Sequence, residues 1–191
     1  MKVIAFNGSA RKDGNTAILV NKVFEELNKE GIDTELVQMA GMKIKGCIAC
    51  FKCFENKDRL CNVRNDDING CIEKMDGADG IILASPTYFA TMSTETKALI
   101  DRAGMTAVAN GHMFARKVGA AVVAVRRGGG VTTFDGINHF FFINQMVVPG
   151  SSYWNFGFGL NPGDVEGDDE GIQTMQNLGS NMAWLMKKIV D

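Results

Sequence analysis

Four of the five cysteines in this 191-residue chain lie in one short segment. Cys47, Cys50 and Cys53 follow one another at three-residue spacing, and Cys61 follows after a longer gap. Thiolates this close along a chain can hold an iron–sulfur cluster or zinc, and free or redox-active thiols are a third interpretation. The spacing favours a four-iron cluster, because the bacterial ferredoxin pattern begins with the same three cysteines.

A second candidate site follows the apolar run at residues 3–6, in a loop that leads directly into a helical pattern. Helix N–H groups and hydroxyl, amide and cationic side chains together can hold a phosphate group. The loop matches neither the dinucleotide fingerprint nor the triphosphate-binding loop. Alternatively, the side-chain amide of Asn15 only caps the helix, and Arg11 is a solvated turn residue. The candidate phosphate-binding residues are Ser9, Arg11, Lys12, Gly14, Asn15 and Thr16.

Two later loops follow apolar runs and can reach the same edge of a sheet. One could pack beside a planar ring and contains Pro86, Thr87, Tyr88 and Phe89. The other could approach a ligand closely through its backbone and contains Arg127, Gly128, Gly129 and Gly130. The alternative is that the aromatic residues fold back on the core and the glycines only form a turn. A planar, phosphorylated ligand fits all three loops, and flavin mononucleotide (FMN) is the natural candidate.

The elements that must position these loops alternate between strand and helix patterns. Apolar runs predict strands at residues 3–6, 33–39, 80–84, 118–125 and 146–148. Helical spacing predicts helices at 16–29, 68–75, 94–103, 134–145 and 168–190. This alternation predicts an α/β fold: one flavodoxin-like domain over residues 1–191, with a doubly wound five-stranded parallel sheet of order 2-1-3-4-5. The cysteine-rich loop, about residues 41–65, follows strand 2, and residues 149–167 form a second long loop.

The composition narrows the possible partners. Apolar residues make up 46% of the chain, which predicts a folded core, and the net charge of −2 argues against nucleic acid as a partner. We find no apolar stretch long enough for a membrane span and no export signal, so we expect a cytoplasmic protein with reduced thiols.

Several motifs together resemble the NADPH-dependent FMN reductase superfamily and, within it, the iron–sulfur flavoproteins of anaerobic microbes. They are Gly8-Ser9-x-Arg11-x-x-Gly14-Asn15-Thr16, the four-cysteine segment, Ser85-Pro86-Thr87-Tyr88 with Ser93, Asp101-Arg102, and Arg127-Gly128-Gly129-Gly130. The resemblance implies non-covalent FMN and a 4Fe-4S cluster on the loop after strand 2. It also implies homodimers or homotetramers in which subunits complete each other's sites.

These features predict an FMN-dependent oxidoreductase in which electrons pass from a ferredoxin-like carrier through the cluster to FMN and a small-molecule acceptor. The alternatives are an NAD(P)H-dependent FMN or quinone-type reductase with free or zinc-bound cysteines, and a non-enzymatic electron carrier. No side chain stands out as a catalytic acid or base, since His112 and His139 are isolated in the sequence. For Trp154 we predict a subunit contact near a flavin, with simple core packing as the alternative.

Overall fold

The computed structural model describes residues 1–190 and contains one five-stranded sheet. The strands are β1 Lys2–Asn7, β2 Asp33–Gln38, β3 Gly80–Pro86, β4 Val118–Val125 and β5 Phe156–Phe158. Their order is β2-β1-β3-β4-β5, and every neighbouring pair is parallel. The predicted flavodoxin-like sheet is therefore confirmed.

Helices cover both faces of the sheet. They are α1 Asn15–Lys29, α2 Lys52–Asn56, α3 Ile68–Asp76, α4 Thr94–Ala109, α5 Gly130–Ile143 and α6 Asp169–Ile189, with a 3₁₀ turn at Asp164–Gly167. One core lies under α1 and α6, and the other lies under α3, α4 and α5. Three helices depart from the prediction: α2 lies inside the cysteine-rich loop, α4 continues to Ala109 instead of ending at residue 103, and α5 begins at Gly130 rather than at residue 134. Among residues 1–190, no helix has both the length and the apolar character that crossing a membrane requires.

Strand β4 shows why the apolar runs predicted the central strands correctly. All eight of its residues are buried, because helices cover it on both sides. Val123 and Val125 contribute to the core under α3, α4 and α5, whereas Val122 and Ala124 contribute to the core under α1 and α6. This two-residue alternation also decides which way the residues after the strand face.

The fifth strand is the main error of the sequence prediction. Residues 146–148 make only one isolated parallel bridge, between Val147 and Val118, and β5 is Phe156–Phe158. Gly157 in β5 lies so close to Leu19 and Val165 that a Cβ atom there would come within 2.5 Å of both side chains. A three-residue strand built around a glycine gives no apolar run, which is why it escaped the sequence prediction.

Candidate functional site

A cavity of about 270 Å³ opens at the carboxyl ends of β1, β3 and β4, and we call it the strand-end cavity. Seven predicted cofactor-binding residues line it: Ser9, Arg11, Asn15, Thr16, Pro86, Thr87 and Tyr88. Four residues that we did not predict complete its wall: Ala124, Arg126, Gly159 and Leu160. The loops after β1 and β3 therefore meet in one cavity, as ligand sites do in doubly wound sheets.

The amino-terminal end of α1 forms one side of this cavity. Gly14 is the N-cap residue and provides no side-chain cap, so Asn15 is the first residue of the helix rather than its cap. The side-chain oxygen of Asn15 instead accepts the backbone N–H of Gly163 at 2.9 Å. The first N–H groups of a helix have no carbonyl partner within the helix, and those of Asn15 and Thr16 can therefore bind an anion.

Two arginines add positive charge at the cavity. The guanidinium of Arg11 donates a hydrogen bond to the carbonyl oxygen of Leu160 at 2.9 Å, which joins the loop after β1 to the loop after β5. Arg126, directly after β4, is exposed and also lines the cavity. Lys12 is exposed and Gly14 is buried, and neither lines the strand-end cavity.

Thr87 carries an unpaired polar atom at the cavity wall. Its backbone N–H donates to the carbonyl oxygen of Ala124 at 2.8 Å, which fixes the loop after β3 against β4. Its hydroxyl oxygen is buried and has no hydrogen-bond partner within the chain. A buried hydroxyl of this kind is usually satisfied by a partner, so Thr87 is suited to bind a polar edge of a ligand.

A tight turn follows Thr87 and carries Phe89 away from the cavity. Tyr88 and Thr91 exchange backbone hydrogen bonds, and both residues between them, Phe89 and Ala90, have positive φ angles. This is the backbone pattern of a type I′ turn, which non-glycine residues adopt at a cost. Phe89 is fully exposed and does not line the strand-end cavity, in contrast to Tyr88.

The glycine-rich loop after β4 lines a neighbouring cavity of about 410 Å³, which we call the aromatic cavity. Arg127, Gly128, Gly129 and Gly130 form one side of it. The other side is aromatic: Tyr153, Trp154, Phe156 and Phe158. Half of the Trp154 surface is exposed, which rules out simple core packing, and the predicted subunit contact stays a prediction.

The loops after β3 and β4 touch at Gly129. Its φ is +83°, and a Cβ atom at this position would lie 2.8 Å from Cα of Ala90. The hydroxyl of Thr132 donates to the carbonyl oxygen of Ala90 and adds a second link between the two loops. Only glycine allows this backbone conformation at such a close approach.

The four clustered cysteines line one small cavity of about 20 Å³ beside α4, which we call the cysteine cavity. Cys47 and Cys50 are exposed, Cys53 and Cys61 are buried, and all four thiols are free. Within residues 1–190, no three Cys, His, Asp or Glu side chains are grouped as a single metal ion would require. The four predicted metal ligands thus surround one shared cavity, but they do not converge on a single point.

The cysteine-rich loop is fixed at both ends, whereas the segment that carries its first two cysteines is exposed. At its start, the backbone N–H of Lys43 donates to the Asp67 carboxylate at 2.7 Å. At its end, the side chain of Asn69 pairs with the backbone of Cys61, accepting its N–H at 2.8 Å and donating to its carbonyl at 2.9 Å. Residues 47–51 between these anchors are exposed.

Burial raises the pKa of two of the thiols. It raises the pKa of Cys53 above its ordinary value, and the neighbouring Cys61 and Cys50 raise it further, whereas backbone N–H groups oppose the shift. Cys71 lies apart from the other four on α3, where burial raises its thiol pKa to about 11. Cys71 is therefore a buried, unreactive thiol, as expected for a small core residue.

Sequence reasoning missed two arginines, each of which carries a recognisable signal. Arg126 continues the alternation of β4, so it faces the same side as Ala124 and lines the same cavity, whereas Arg127 faces the aromatic cavity. Arg102 is fully buried on α4 and lines the cysteine cavity, and we had noted it only as part of a motif. A charged residue among apolar helix positions indicates a specific partner.

Known proteins resemble this chain in sequence and in fold. The model of the NADPH-dependent FMN reductase family matches residues 1–161. An iron–sulfur flavoprotein of Methanocaldococcus jannaschii is 40% identical over 196 residues, which cover 99% of each chain. An iron–sulfur flavoprotein of Methanosarcina thermophila is 31% identical, over 99% of this chain and 97% of the relative.

Solved structures agree on the fold. RosB with bound 8-demethyl-8-formylriboflavin-5'-phosphate superposes with a TM-score of 0.75 at 16% identity, over 98% of this chain and 79% of RosB. A WrbA-like flavodoxin of Agrobacterium tumefaciens gives a TM-score of 0.68 at 15% identity, over 98% of each chain. The chain belongs to the NADPH-dependent FMN reductase family and, within it, to the iron–sulfur flavoproteins. It is accordingly a flavin-dependent oxidoreductase.

Proposed function

We propose that this chain binds FMN in the strand-end cavity and a 4Fe-4S cluster at its four clustered cysteines. It would take electrons from a ferredoxin-like carrier through the cluster and deliver them through FMN to a small-molecule acceptor. The observation that carries the proposal is that four cysteines line one cavity, in a chain whose strand-end cavity is lined by the start of α1 and by two arginines. We further propose that it works in the cytoplasm, where its free thiols would stay reduced.

The anion-binding end of the strand-end cavity fits the phosphate of FMN. The N–H groups of Asn15 and Thr16 and the charge of Arg126 would hold the phosphate there. Arg11 would act in the same place while fixing the loop after β5. The unpaired hydroxyl of Thr87 would bind a polar edge of the ring, because it otherwise remains buried without a partner.

The predicted ring contacts divide into two groups. Pro86 and Tyr88 line the strand-end cavity, and Tyr88 would pack against the ring. The glycine-rich loop lines the adjoining aromatic cavity, where its backbone would approach the other side of the ligand. Phe89 projects fully into solvent. It would therefore contact either the flavin ring bound by a partner subunit or the protein surface of that subunit.

The donor chemistry of the cysteine cavity fits a cluster, in which each thiolate binds a different iron atom. The space of about 20 Å³ holds little more than one water molecule, so the lining must open for the larger group. Cys47 and Cys50 lie on the exposed part of the loop and can move outward, whereas Cys61 is held by Asn69. The cluster supplies one-electron transfer when it is bound, and the flavin accepts electrons singly or as a hydride.

Exposed apolar residues support a homo-oligomer. Ile48 and Phe51 are exposed beside the cysteine cavity, and Phe89 and Trp154 are exposed beside the two other cavities. Within residues 1–190, no residue lines both the cysteine cavity and the strand-end cavity. We propose that a second subunit covers these residues in a dimer or tetramer and brings its own cavity close to the partner's cysteines.

The test is the iron, sulfide, zinc and flavin content of protein purified without oxygen. We expect about four irons and four sulfides per chain, together with FMN. Cys53→Ser should lose the iron, and Cys71→Ser, the control outside the cysteine cavity, should keep it. Flavin without iron or sulfide after anaerobic reconstitution would contradict the cluster.

The match to the NADPH-dependent FMN reductase family favours a second candidate function. In this alternative NAD(P)H reduces FMN directly, and the cysteines are free or hold zinc. Anaerobic reduction followed in the flavin absorbance separates the two. Fast reduction by NAD(P)H that is unchanged in Cys53→Ser supports the alternative, whereas reduction by ferredoxin that is lost in Cys53→Ser supports the cluster route.

A further inference from the structure

Arg102 directs its hydrogen-bond donors at the cysteine-rich loop. Its Nε donates to Sγ of Cys61 at 3.3 Å, and its Nη2 donates to the carbonyl oxygen of Val63 at 2.8 Å. Its Nη1 donates to the carbonyl oxygen of Lys45 at 3.1 Å and to the carboxylate of Asp66. The side chain thus binds the loop before the first cysteine and after the last one, while contacting one ligand sulfur directly.

This guanidinium is costly to bury, which argues that it serves more than packing. The side chains of Arg102 and Asp66 are both fully buried, and an apolar pair of similar size would often be as stable. What an apolar pair cannot provide is a charged N–H group at Sγ of Cys61. A charge-assisted hydrogen bond to sulfur favours negative charge on that sulfur.

Thr106 provides a second donor one helical turn further along α4. It lies on the same face as Arg102, it is fully buried, and it lines the same cavity. Its hydroxyl oxygen has no hydrogen-bond partner in the chain. A helical threonine often bonds to the carbonyl four residues earlier, and Thr106 does not, so its hydroxyl is free to serve a group in the cavity.

We infer that α4 sets the reduction potential of the redox group held by the four cysteines, with Thr106 donating to a sulfur in the cavity and Arg102 acting through Cys61. The inference rests on the proposed cluster. One-electron reduction adds one negative charge to the sulfurs and irons, with no proton or bond exchanged. Donors to the sulfurs stabilise that added charge, and they therefore make the potential less negative.

The first test compares Thr106→Val, which keeps the shape and loses the hydroxyl, with Thr106→Ser, which keeps the hydroxyl. The midpoint potential is measured by redox titration followed by electron paramagnetic resonance, on anaerobically reconstituted protein of equal iron content. We expect a more negative potential for Thr106→Val and a potential close to the parent's for Thr106→Ser. Because the hydroxyl is unpaired in the chain, metal-free Thr106→Val should melt at a temperature no lower than the parent does.

The second test uses a change of opposite sign near Arg102. Asp66→Asn removes the negative charge beside the guanidinium but keeps an acceptor oxygen, so the potential should become less negative. Arg102→Lys keeps the charge and loses the Nε donor at Cys61, so the potential should become more negative. If Arg102→Lys does not fold, the opposite shifts of Asp66→Asn and Thr106→Val still decide the question.

The outcomes separate this inference from the proposed function. If the parent protein holds a cluster and both Thr106→Val and Asp66→Asn have the same midpoint potential as the parent, the inference is overturned and the proposed cluster is not. Parent protein that holds no iron or sulfide would overturn the cluster and the inference together. Shifts of the same sign in Thr106→Val and Asp66→Asn would indicate a general structural disturbance and would also overturn it.

Discussion

The side-chain oxygen of Asn15 accepts the backbone N–H of Gly163 at 2.9 Å, and thereby holds the loop after β5 against the start of α1. This contact joins segments that are far apart in the sequence and closes one wall of the strand-end cavity. The residue that we predicted as a phosphate ligand is therefore also the anchor of Leu160 and its neighbours, which line the same cavity.

We expect Asn15→Ala to lower the free energy of unfolding by roughly 1–2 kcal/mol, because it leaves the Gly163 N–H without its partner. FMN affinity should fall as well, since the wall of the cavity loses its anchor. Asn21→Ala, an exposed change in the same helix, is the control for both urea denaturation and flavin titration. Equal effects of the two substitutions would contradict the anchoring role.

Thr87→Val should separate stability from binding. Removing a buried hydroxyl that has no partner should leave the free energy of unfolding of the flavin-free chain unchanged or raise it. FMN affinity should fall roughly two- to tenfold, as expected for the loss of a hydrogen bond of about 0.5–1.5 kcal/mol. Thr87→Ser should keep the affinity, and a loss of stability in Thr87→Val would show that the hydroxyl has a partner in the chain.

Gly129→Ala should be destabilising, whereas Gly128→Ala should be nearly neutral. Gly129 has a positive φ and would bring a Cβ atom against Ala90, at a cost of about 1–3 kcal/mol. A Cβ atom on Gly128 would meet nothing within 4 Å. Thermal melts of the two variants provide the comparison, and similar melting temperatures would argue against the tight contact between the loops.

The thiol of Cys71 should make the chain less stable in alkali. Its pKa is raised from 9.0 to about 11, mainly by burial. Between these values the unfolded chain loses the proton and the folded chain keeps it, so the free energy of unfolding falls as pH rises. The full effect is about 2–3 kcal/mol. Urea denaturation from pH 8 to 11 should show a shallower decline in Cys71→Ala, and parallel curves would contradict the assignment.

Trp154→Ala should change the oligomeric state and weaken FMN binding. Trp154 is half exposed, packs at a tilt against Tyr153 and Phe156, and lines the aromatic cavity beside the glycine-rich loop. Trp184 is also exposed but lies in a different groove, so Trp184→Ala should leave FMN affinity unchanged. Light scattering and flavin titration test both variants, and an unchanged Trp154→Ala protein would contradict the predicted contact.

The sequence was a good guide wherever one physical signal dominates. The central strands are continuous apolar runs because both of their faces are buried, and β4 is the clearest case. The phosphate-binding loop was found because it joins a strand to a helix and carries hydroxyl, amide and cationic groups. Four of its residues indeed line one cavity, together with three at the end of β3 and in the loop that follows.

The remaining features depend on distant contacts that have no local pattern. Strand β5 contains Gly157, which the packing of Leu19 and Val165 requires, and the more apolar segment around Val147 competed with it in the sequence. Phe89 was itself predicted to pack beside the ring, yet the tight turn carries it into solvent. Only tertiary structure shows that Arg102 and Cys61, far apart in the chain, are hydrogen-bonded.

The outer edge of β4 is covered in two separate pieces. Val147 pairs at its start, Phe156–Phe158 pairs at its end, and the side chain of Asn155 donates to the carbonyl oxygen of Ala121 between them. Each piece has its own register with β4. A change in the length of the chain between the two pieces therefore need not shift the register of either one.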